Sequence, residues 1–263
     1  MKKLFFSTIT AILMLCSVFF FACAKTHENE GEDTAETTVT ETENNGTTVK
    51  SEEEWKKLFD NYKNYVNCTT DVRASIVFQD IDYGTRQELE VSEHAEIDCD
   101  MVEGILKMYE DSPEQNIKQY LIVENEQGYV YIFNENKWSK QSVLASKVIY
   151  SIETTDIISE LPLNEYYEKF AYDDERQCYY NSEPLVININ DNNLSSRIEY
   201  SIVEIYVKNK AIERINIVYN ATTIQTIFDG TTMTQMHVSG TIYNFGTTVI
   251  EIPQEVIDSA VSN

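Results

Sequence analysis

The spacing of apolar residues first indicates a helix and then a long series of strands. Between residues 51 and 67 the apolar side chains recur at steps of three and four, which is typical of a helix with one apolar face. These residues are Trp55, Leu58, Phe59, Tyr62, Tyr65 and Val66. Ser51 and Glu54 have the spacing of a capping box. The pattern predicts a helix over 51–67, with Trp55, Phe59 and Tyr62 on the face that covers a sheet or a ligand.

From residue 70 the period changes to two, which predicts half-buried strands. Val72, Ala74, Ile76 and Phe78 alternate with mostly polar residues, and turn signals at 82–85, 134–137, 208–210 and 229–230 separate the later segments. Further strands are predicted at 89–99, 105–109, 119–124, 129–134, 176–181, 185–189, 197–207, 211–220, 222–228, 233–243 and 249–253, with another short strand carrying Trp138. Most neighbouring strands are joined by short turns, which favours antiparallel pairing.

The alternation stops between residues 143 and 170. Two short helices are predicted there, at 155–161 and 164–170, on either side of Pro162. Parallel-type alternation of strands and helices is absent from the predicted elements. The expected fold class is therefore α+β, mainly antiparallel β, in one domain over 51–263. A sheet this wide must curl and be covered. We expect a curved half-barrel covered by the N-terminal helix and the central helical pair.

The N-terminus resembles the export signal of a bacterial lipoprotein. Lys2 and Lys3 precede a run of apolar and small residues that ends at Ala22-Cys23. The sequence Phe20-Phe21-Ala22-Cys23 is similar to a lipobox, in which a small residue precedes the cysteine that receives the lipid. The prediction is a signal peptide over 1–22 and lipidation at Cys23. The alternative is an ordinary cleaved signal with an incidental cysteine.

A polar segment follows the cysteine. Residues 23–50 contain many threonines and acids and only isolated apolar residues, so they cannot bury enough surface to fold. They are predicted to be a disordered tether. Together with the lipid anchor, this predicts a protein held on the extracytoplasmic face of the cell membrane. Like charges would extend the tether away from anionic lipid.

The charge of the chain restricts its partners. Asp and Glu number 44 against 20 Lys and Arg, a formal net charge of −24. This charge argues against nucleic acid as a partner, because binding it requires Lys and Arg to displace phosphate counterions. It argues equally against a polybasic grip on anionic lipid, which needs a cluster of Lys and Arg. The membrane contact must therefore come from the lipid at Cys23.

Several features together resemble the LolA/LppX-type lipoprotein superfamily. They are the aromatic helix after the tether, the strand meander containing YVYIFNENKW at 129–138, the helical interruption, and the closing YNFG and VIEIPQEV segments at 243–246 and 249–256. The resemblance covers roughly residues 51–258. It implies a curved antiparallel half-barrel closed by helices, with a cavity for acyl chains or lipidated cargo. Members of this shape without a known ligand also exist.

Reactive chemistry is sparse. His94 and His237 lie in separate predicted strands, and Cys68, Cys99 and Cys178 leave two alternatives open: one disulfide with a thiol left over, or three buried thiols. No catalytic, metal-binding or cofactor-binding residue is predicted, and no enzyme activity is expected. The predicted function is a lipoprotein that binds or carries a lipid or other apolar ligand. The alternative is an interaction or scaffold lipoprotein with a filled core and an unidentified protein partner.

Overall fold

The computed structural model of the 263-residue chain describes residues 49–60, 65–100, 103–124, 127–144, 163–191, 193–227 and 230–262. The predicted signal peptide 1–22, the lipidation site Cys23 and nearly all of the tether 23–50 lie outside these residues, as do Tyr62 and the first helix of the central pair at 155–161. The structure therefore does not test these predictions.

Strands dominate the described part of the chain. The two α-helices are α1 (Glu52–Asp60) and α2 (Gln254–Ser259), and short 3-10 helices lie at Pro113–Gln115, Leu163–Glu165 and Tyr167–Lys169. The first strands are β1 (Tyr65–Asp80), β2 (Thr85–Asp100), β3 (Ile105–Ser112), β4 (Ile117–Glu124), β5 (Gln127–Asn134) and β6 (Lys137–Leu144). The later strands are β7 (Phe170–Asp173), β8 (Cys178–Asn181), β9 (Leu185–Asp191), β10 (Leu194–Lys208), β11 (Ala211–Ile227), β12 (Gly230–Tyr243) and β13 (Val261–Ser262).

These strands form one wide sheet of 13 strands. Its order is β13-β6-β5-β4-β3-β2-β1-β12-β11-β10-β8-β7, and β9 pairs with β10 off this path. Every ladder is antiparallel except the one between β13 and β6. The predicted mainly antiparallel sheet is confirmed. Within the described residues its two ends are not paired with each other, so the sheet is open.

The N-terminal helix is shorter than the pattern predicts. Helix α1 ends at Asp60, and the residues from Tyr65 onward belong to β1, where they pair with Asp100 and its neighbours on β2. The apolar residues at 65 and 66 fit the helical period, but the same residues also suit a strand. Pairing with β2 decided between the two, because tertiary contacts outweigh weak local propensity.

Three other predicted elements differ. The segment 164–170 is two short 3-10 turns, and Phe170 already begins β7, which pairs with β8. The predicted strands 211–220 and 222–228 are one continuous strand, β11, because β12 pairs along its whole length. Residues 249–253, predicted as the last strand, are not in a strand and lead into α2.

Alternation along the strands produces two different faces. One face, which we call the core face, carries Ala74 and Ile76 of β1, Val238 of β12 and Tyr219 of β11, all buried. Helix α1 packs on this face against β11 and the 3-10 turns at 163–169. The principal hydrophobic core of the described residues therefore lies between α1 and the strands β1 and β8–β12.

The opposite face is crossed by the end of the chain. Residues 244–262, which we call the C-terminal strap, lead from the end of β12 to the edge strand β6, where Val261 pairs with Ser139. At the start of the strap the Asn67 amide donates to the Thr248 carbonyl, and the hydroxyls of Thr69 and Thr248 lie 3.1 Å apart. Ile250 and Val256 of the strap are buried. We call this side of the sheet the strap face.

Candidate ligand-binding face

Trp55 is the centre of the packed half of the sheet, which comprises β1 and β8–β12 with α1. Its side chain is 0% exposed, and its indole N–H donates to the Leu163 carbonyl at 2.6 Å. Four rings surround it, with centroids 5.0–5.8 Å away; they belong to Phe59, Tyr167, Phe170 and Tyr179. Offset and tilted rings at such distances are typical of aromatic core packing.

The structure describes two of the three residues predicted to lie on the covering face of the N-terminal helix. Trp55 and Phe59 are both buried in this aromatic cluster, while Tyr62 lies outside the described residues. The Tyr179 hydroxyl bonds to the backbone of Val49, which joins the chain before α1 to β8. Burial raises the pKa of Tyr179 to about 12. The aromatic cluster holds α1 on the sheet. Because Trp55 is fully buried in it, a ligand has no access to this side chain.

The other half of the sheet, β3–β6, is less covered. Its core face continues that of β1 and β2 through the ladder register, and the centre of this face, on β3–β5, is aliphatic. At the centre of this face lie Leu106 and Met108 of β3, Leu121 and Val123 of β4, and Val130 and Ile132 of β5. Leu106 and Val123 are buried, and the other four are only half-buried. We call these six residues the aliphatic patch.

A polar group adjoins the aliphatic patch. Glu93 of β2 and Glu110 of β3 lie on the same face, since Ala95 lies opposite Glu110 and Glu93 is two residues from Ala95. Glu110 is 3% exposed, and the Gln119 amide donates to its carboxylate at 2.5 Å. Burial, and next the nearby Glu110 carboxyl, raise the pKa of Glu93 to about 7. The core face of this half therefore has an apolar part and a polar end.

The strap face of the same strands is aromatic and charged. Neighbouring rings run from Tyr109 to Tyr120 at 4.8 Å, from Tyr120 to Trp138 at 5.8 Å, and from Trp138 to Phe133 at 5.1 Å. The Lys140 ammonium lies 3.9 Å from the centre of the Tyr129 ring, a cation–π contact. Cross-strand rings of this kind stabilise the sheet, so the row has a structural role.

The two strand histidines lie apart from each other and each has a local partner. His94 Nδ1 is 2.8 Å from Asp71 Oδ1, and the Tyr243 hydroxyl donates to the second oxygen of Asp71, also at 2.8 Å. Burial and the Asp71 carboxylate raise the pKa of Tyr243 to about 12. His237 Nδ1 lies 2.9 Å from the Asn220 side-chain oxygen. These contacts are side-chain pairs across strands rather than converging metal ligands.

The remaining candidate groups are structural as well. Cys68, Cys99 and Cys178 are buried, and no disulfide joins cysteines of the described residues. Burial raises the pKa of the Cys178 thiol, which makes it a weak nucleophile. The described ranges hold no group of three or more His, Cys, Asp or Glu that could bind a metal ion. Neither helix described for this chain has the length and apolar character needed to cross a bilayer.

Sequence reasoning missed the aliphatic patch and the acids beside it. In the sequence, Glu93 interrupts the apolar positions of the predicted strand 89–99, and the apolar residues of β3–β5 follow the ordinary pattern of half-buried strands. The sequence does show that Glu93 and Glu110 each lie on the same face of their own strand as the apolar residues of that strand. It does not show that the two acids are neighbours, because that depends on the register between β2 and β3.

Comparisons with known proteins give little support for a family. No protein family and no curated protein matches the sequence. Among solved structures, the chain is similar to a DUF1329 family protein from Desulfovibrio piger, with 8% identity and a TM-score of 0.29, over 74% of this chain and 92% of that protein. A likeness this weak supports no inference about function.

Proposed function

We propose that this chain is a membrane-anchored lipoprotein whose domain binds a lipid or other amphipathic ligand on the aliphatic patch. The observation that carries the proposal is the contrast between the two halves of the core face. The packed half is filled by Trp55 and its neighbours, whereas four of the six patch residues are only half-buried. Burying them under an acyl chain would be favourable, at about 25 cal/mol per Å² of apolar surface.

The proposal includes the finer features of the fold. The meander β2–β6, with its one-sided aliphatic surface, suits a curved half-barrel of the LolA/LppX type, with helices over the core face. Such a fold would present the patch to a ligand from the side of α1. The signal peptide 1–22, the anchor at Cys23 and the tether 23–50 would place the domain on the extracytoplasmic face of the membrane.

The anchor is tested by substitution in the producing cell. Cys23→Ser removes the thiol that would carry the lipid, and the matched control is Cys16→Ser within the apolar run. We expect C23S to lose acylation, because the thiol that would carry the lipid is absent. Membrane association should be lost with it, because stable anchoring needs more than one acyl chain. Mass spectrometry of the intact protein and cell fractionation measure both effects. Normal maturation of C23S with membrane retention contradicts the lipoprotein assignment.

Ligand binding is tested on the protein purified from its own host. Native mass spectrometry is expected to detect a co-purified lipid. Binding of palmitate is then compared in Leu121→Gln, which alters the aliphatic patch, and Ile122→Gln, which alters the neighbouring position on the strap face. We expect L121Q to weaken binding at least tenfold and I122Q to leave it unchanged. Absence of lipid together with equal palmitate binding by both variants removes the proposal.

The two tryptophans provide a second measurement. Trp55 lies in the packed half and Trp138 in β6, beside the patch-bearing strands. A fatty acid brominated along its chain quenches nearby indoles. Trp138 lies on the strap face, separated from the patch only by the thickness of the sheet, so it should be quenched more than Trp55, which is buried in the packed half. The variant Trp138→Phe leaves Trp55 as the single reporter. Quenching that survives unchanged in W138F would place the ligand in the packed half instead.

A scaffold role is favoured by a different observation. Val249, Ile257 and Val261 of the C-terminal strap are 72%, 43% and 61% exposed. Three exposed apolar residues along one segment offer an apolar surface to a protein partner. If the domain carries no lipid, cross-linking through a photoreactive group at position 257 in living cells would identify a protein partner. A ligand-filled domain without such cross-links favours the binding function.

A further inference from the structure

Glu93 and Glu110 form a pair of carboxyls on an apolar face of the sheet, which we call the acid pair. They lie on adjacent strands, diagonal to each other, with Cβ atoms roughly 7 Å apart or less, a separation that two Glu side chains span easily. Glu110 is 3% exposed and Glu93 is half-buried. The only side-chain hydrogen bond seen to this pair in the described residues comes from Gln119 on β4. Strands β2, β3 and β4 therefore meet at one buried polar group.

No cation faces this pair from the neighbouring strands. On the core face, β1 contributes Thr70 and Val72 beside β2. The lysines of β3 and β4 alternate onto the strap face, where Lys107 pairs with Glu124 at 2.9 Å and Lys118 with Asp111 at 3.7 Å. Arg73 of β1 lies on the strap face as well, because its neighbour Val72 faces the core.

The 3-10 helix packed against β2 adds a third acid. Glu114 lies in the helix Pro113–Gln115, and its carboxylate accepts a hydrogen bond from Ser92 Oγ at 2.5 Å. Ser92 points away from the core face, so the Glu114 carboxylate bonded to it lies on the strap-face side of β2, away from the acid pair. These described elements therefore place no cation against the acid pair, and ionising both carboxyls puts two negative charges in an apolar setting.

We propose that the acid pair is a pH-sensitive latch, which holds β2, β3 and β4 together while a carboxyl is protonated and loosens them once both carboxyls ionise. Burial raises the pKa of both groups, and that of Glu93 reaches about 7. The latch therefore changes state near neutral pH, far above the ordinary range of a glutamate. This inference does not depend on a bound lipid.

The sign of the effect follows from proton binding. Between the ordinary pKa of 4.5 and the raised value of about 7, the folded chain holds a proton that the unfolded chain has lost. Stability of the strands joined by the latch therefore decreases as pH rises through this window, and the loss is complete above it. A shift of this size corresponds to roughly a 300-fold change in the opening equilibrium.

Hydrogen exchange of the purified full chain tests the latch. Amide exchange in β2–β4 is measured between pH 5.5 and 8.5 and corrected for the intrinsic pH dependence of exchange. We expect the corrected opening equilibrium to increase roughly 30-fold across this range, because about a tenfold part of the full change already occurs below pH 5.5. Glu93→Gln should remove most of the increase and leave only the part that comes from the raised pKa of the buried Glu110. Glu110→Gln should reduce the increase, because Glu93 then ionises without a neighbouring carboxylate.

The matched control is Glu90→Gln, an exposed acid on the same strand. E90Q should follow the parent protein at every pH. Equal pH dependence in E93Q and E90Q overturns the proposal, as does a parent protein whose β2–β4 exchange shows no corrected dependence on pH. Failure of both E93Q and E110Q to fold at pH 5.5 also contradicts it, because glutamine is close in shape to a protonated glutamate.

Discussion

Trp55 shows how much of this structure depends on single residues. Its indole packs among four aromatic rings, and its N–H satisfies the carbonyl of Leu163 at 2.6 Å. The contact joins α1 to a segment more than 100 positions away in the chain. A buried carbonyl without its donor is costly, so this residue supplies both apolar burial and a specific hydrogen bond.

We therefore expect Trp55→Phe to destabilise the domain by about 2–3 kcal/mol, because it leaves a cavity and an unsatisfied carbonyl. Equilibrium urea denaturation measures the change. The control is Lys56→Ala, the next residue, whose exposed ion pair with Glu52 is screened by solvent and is expected to contribute little. Equal effects of the two changes would mean that α1 is not held by Trp55.

Two strand glycines provide a second test with a matched pair. A Cβ at Gly128 would lie 2.6 Å from Val143 Cγ2 and 3.0 Å from the Val143 carbonyl oxygen. At Gly240 the nearest atom is Val72 Cγ2 at 3.4 Å, an ordinary contact. Gly128→Ala should therefore destabilise the fold by about 1–3 kcal/mol, whereas Gly240→Ala should change stability by less than about 1 kcal/mol. Thermal unfolding ranks the two, and the reverse order contradicts the predicted clash.

At the scale of elements, the C-terminal strap connects distant parts of the sheet. It leaves β12, is bonded to β1 through Asn67 and Thr69, and ends on the edge of β6. In between, helix α2 buries Val256 and exposes Ile257. The parallel ladder at its end has only two residue pairs, so the apolar contacts of the strap must supply most of its attachment.

Val256→Ala is expected to weaken the strap by about 2 kcal/mol through lost burial. Ile257→Ala, one position later and exposed, should cost less than about 0.5 kcal/mol. Hydrogen exchange of β6 and limited proteolysis of the C-terminus measure the attachment. If the strap is released equally in the two variants, burial of Val256 does not hold it.

At the scale of the whole molecule, charge is the dominant property. With a net charge of −24, the carboxylates of the folded protein repel one another, and added salt screens that repulsion. Raising NaCl from about 10 mM to 300 mM at pH 7 should therefore raise the unfolding midpoint by about 2–5 °C. The internal control is pH 4.4, the sequence pI, where the same salt step should have little effect. A salt response independent of pH would contradict the electrostatic origin.

The sequence predicted local features of this fold well. The turn at 134–137 is present, with Glu135 and Asn136 at φ 49° and 61°, and so is the turn at 208–210, with Asn209 and Lys210 at φ 53° and 60°. Most predicted strands are also confirmed. These features depend on neighbouring residues alone: side-chain alternation over a few positions, and residues that tolerate a left-handed backbone.

The tertiary structure decided what depends on distant contacts. Residues 65–67 became strand, and 164–170 became two turns with the start of β7, because partners elsewhere in the chain completed their hydrogen bonds. The aliphatic patch and the acid pair required the register of β2–β5, in which a shift of one residue would move every side chain to the other face. Sequence periodicity determines which residues share a face of one strand, whereas only the assembled sheet determines which strands become neighbours and what each face meets.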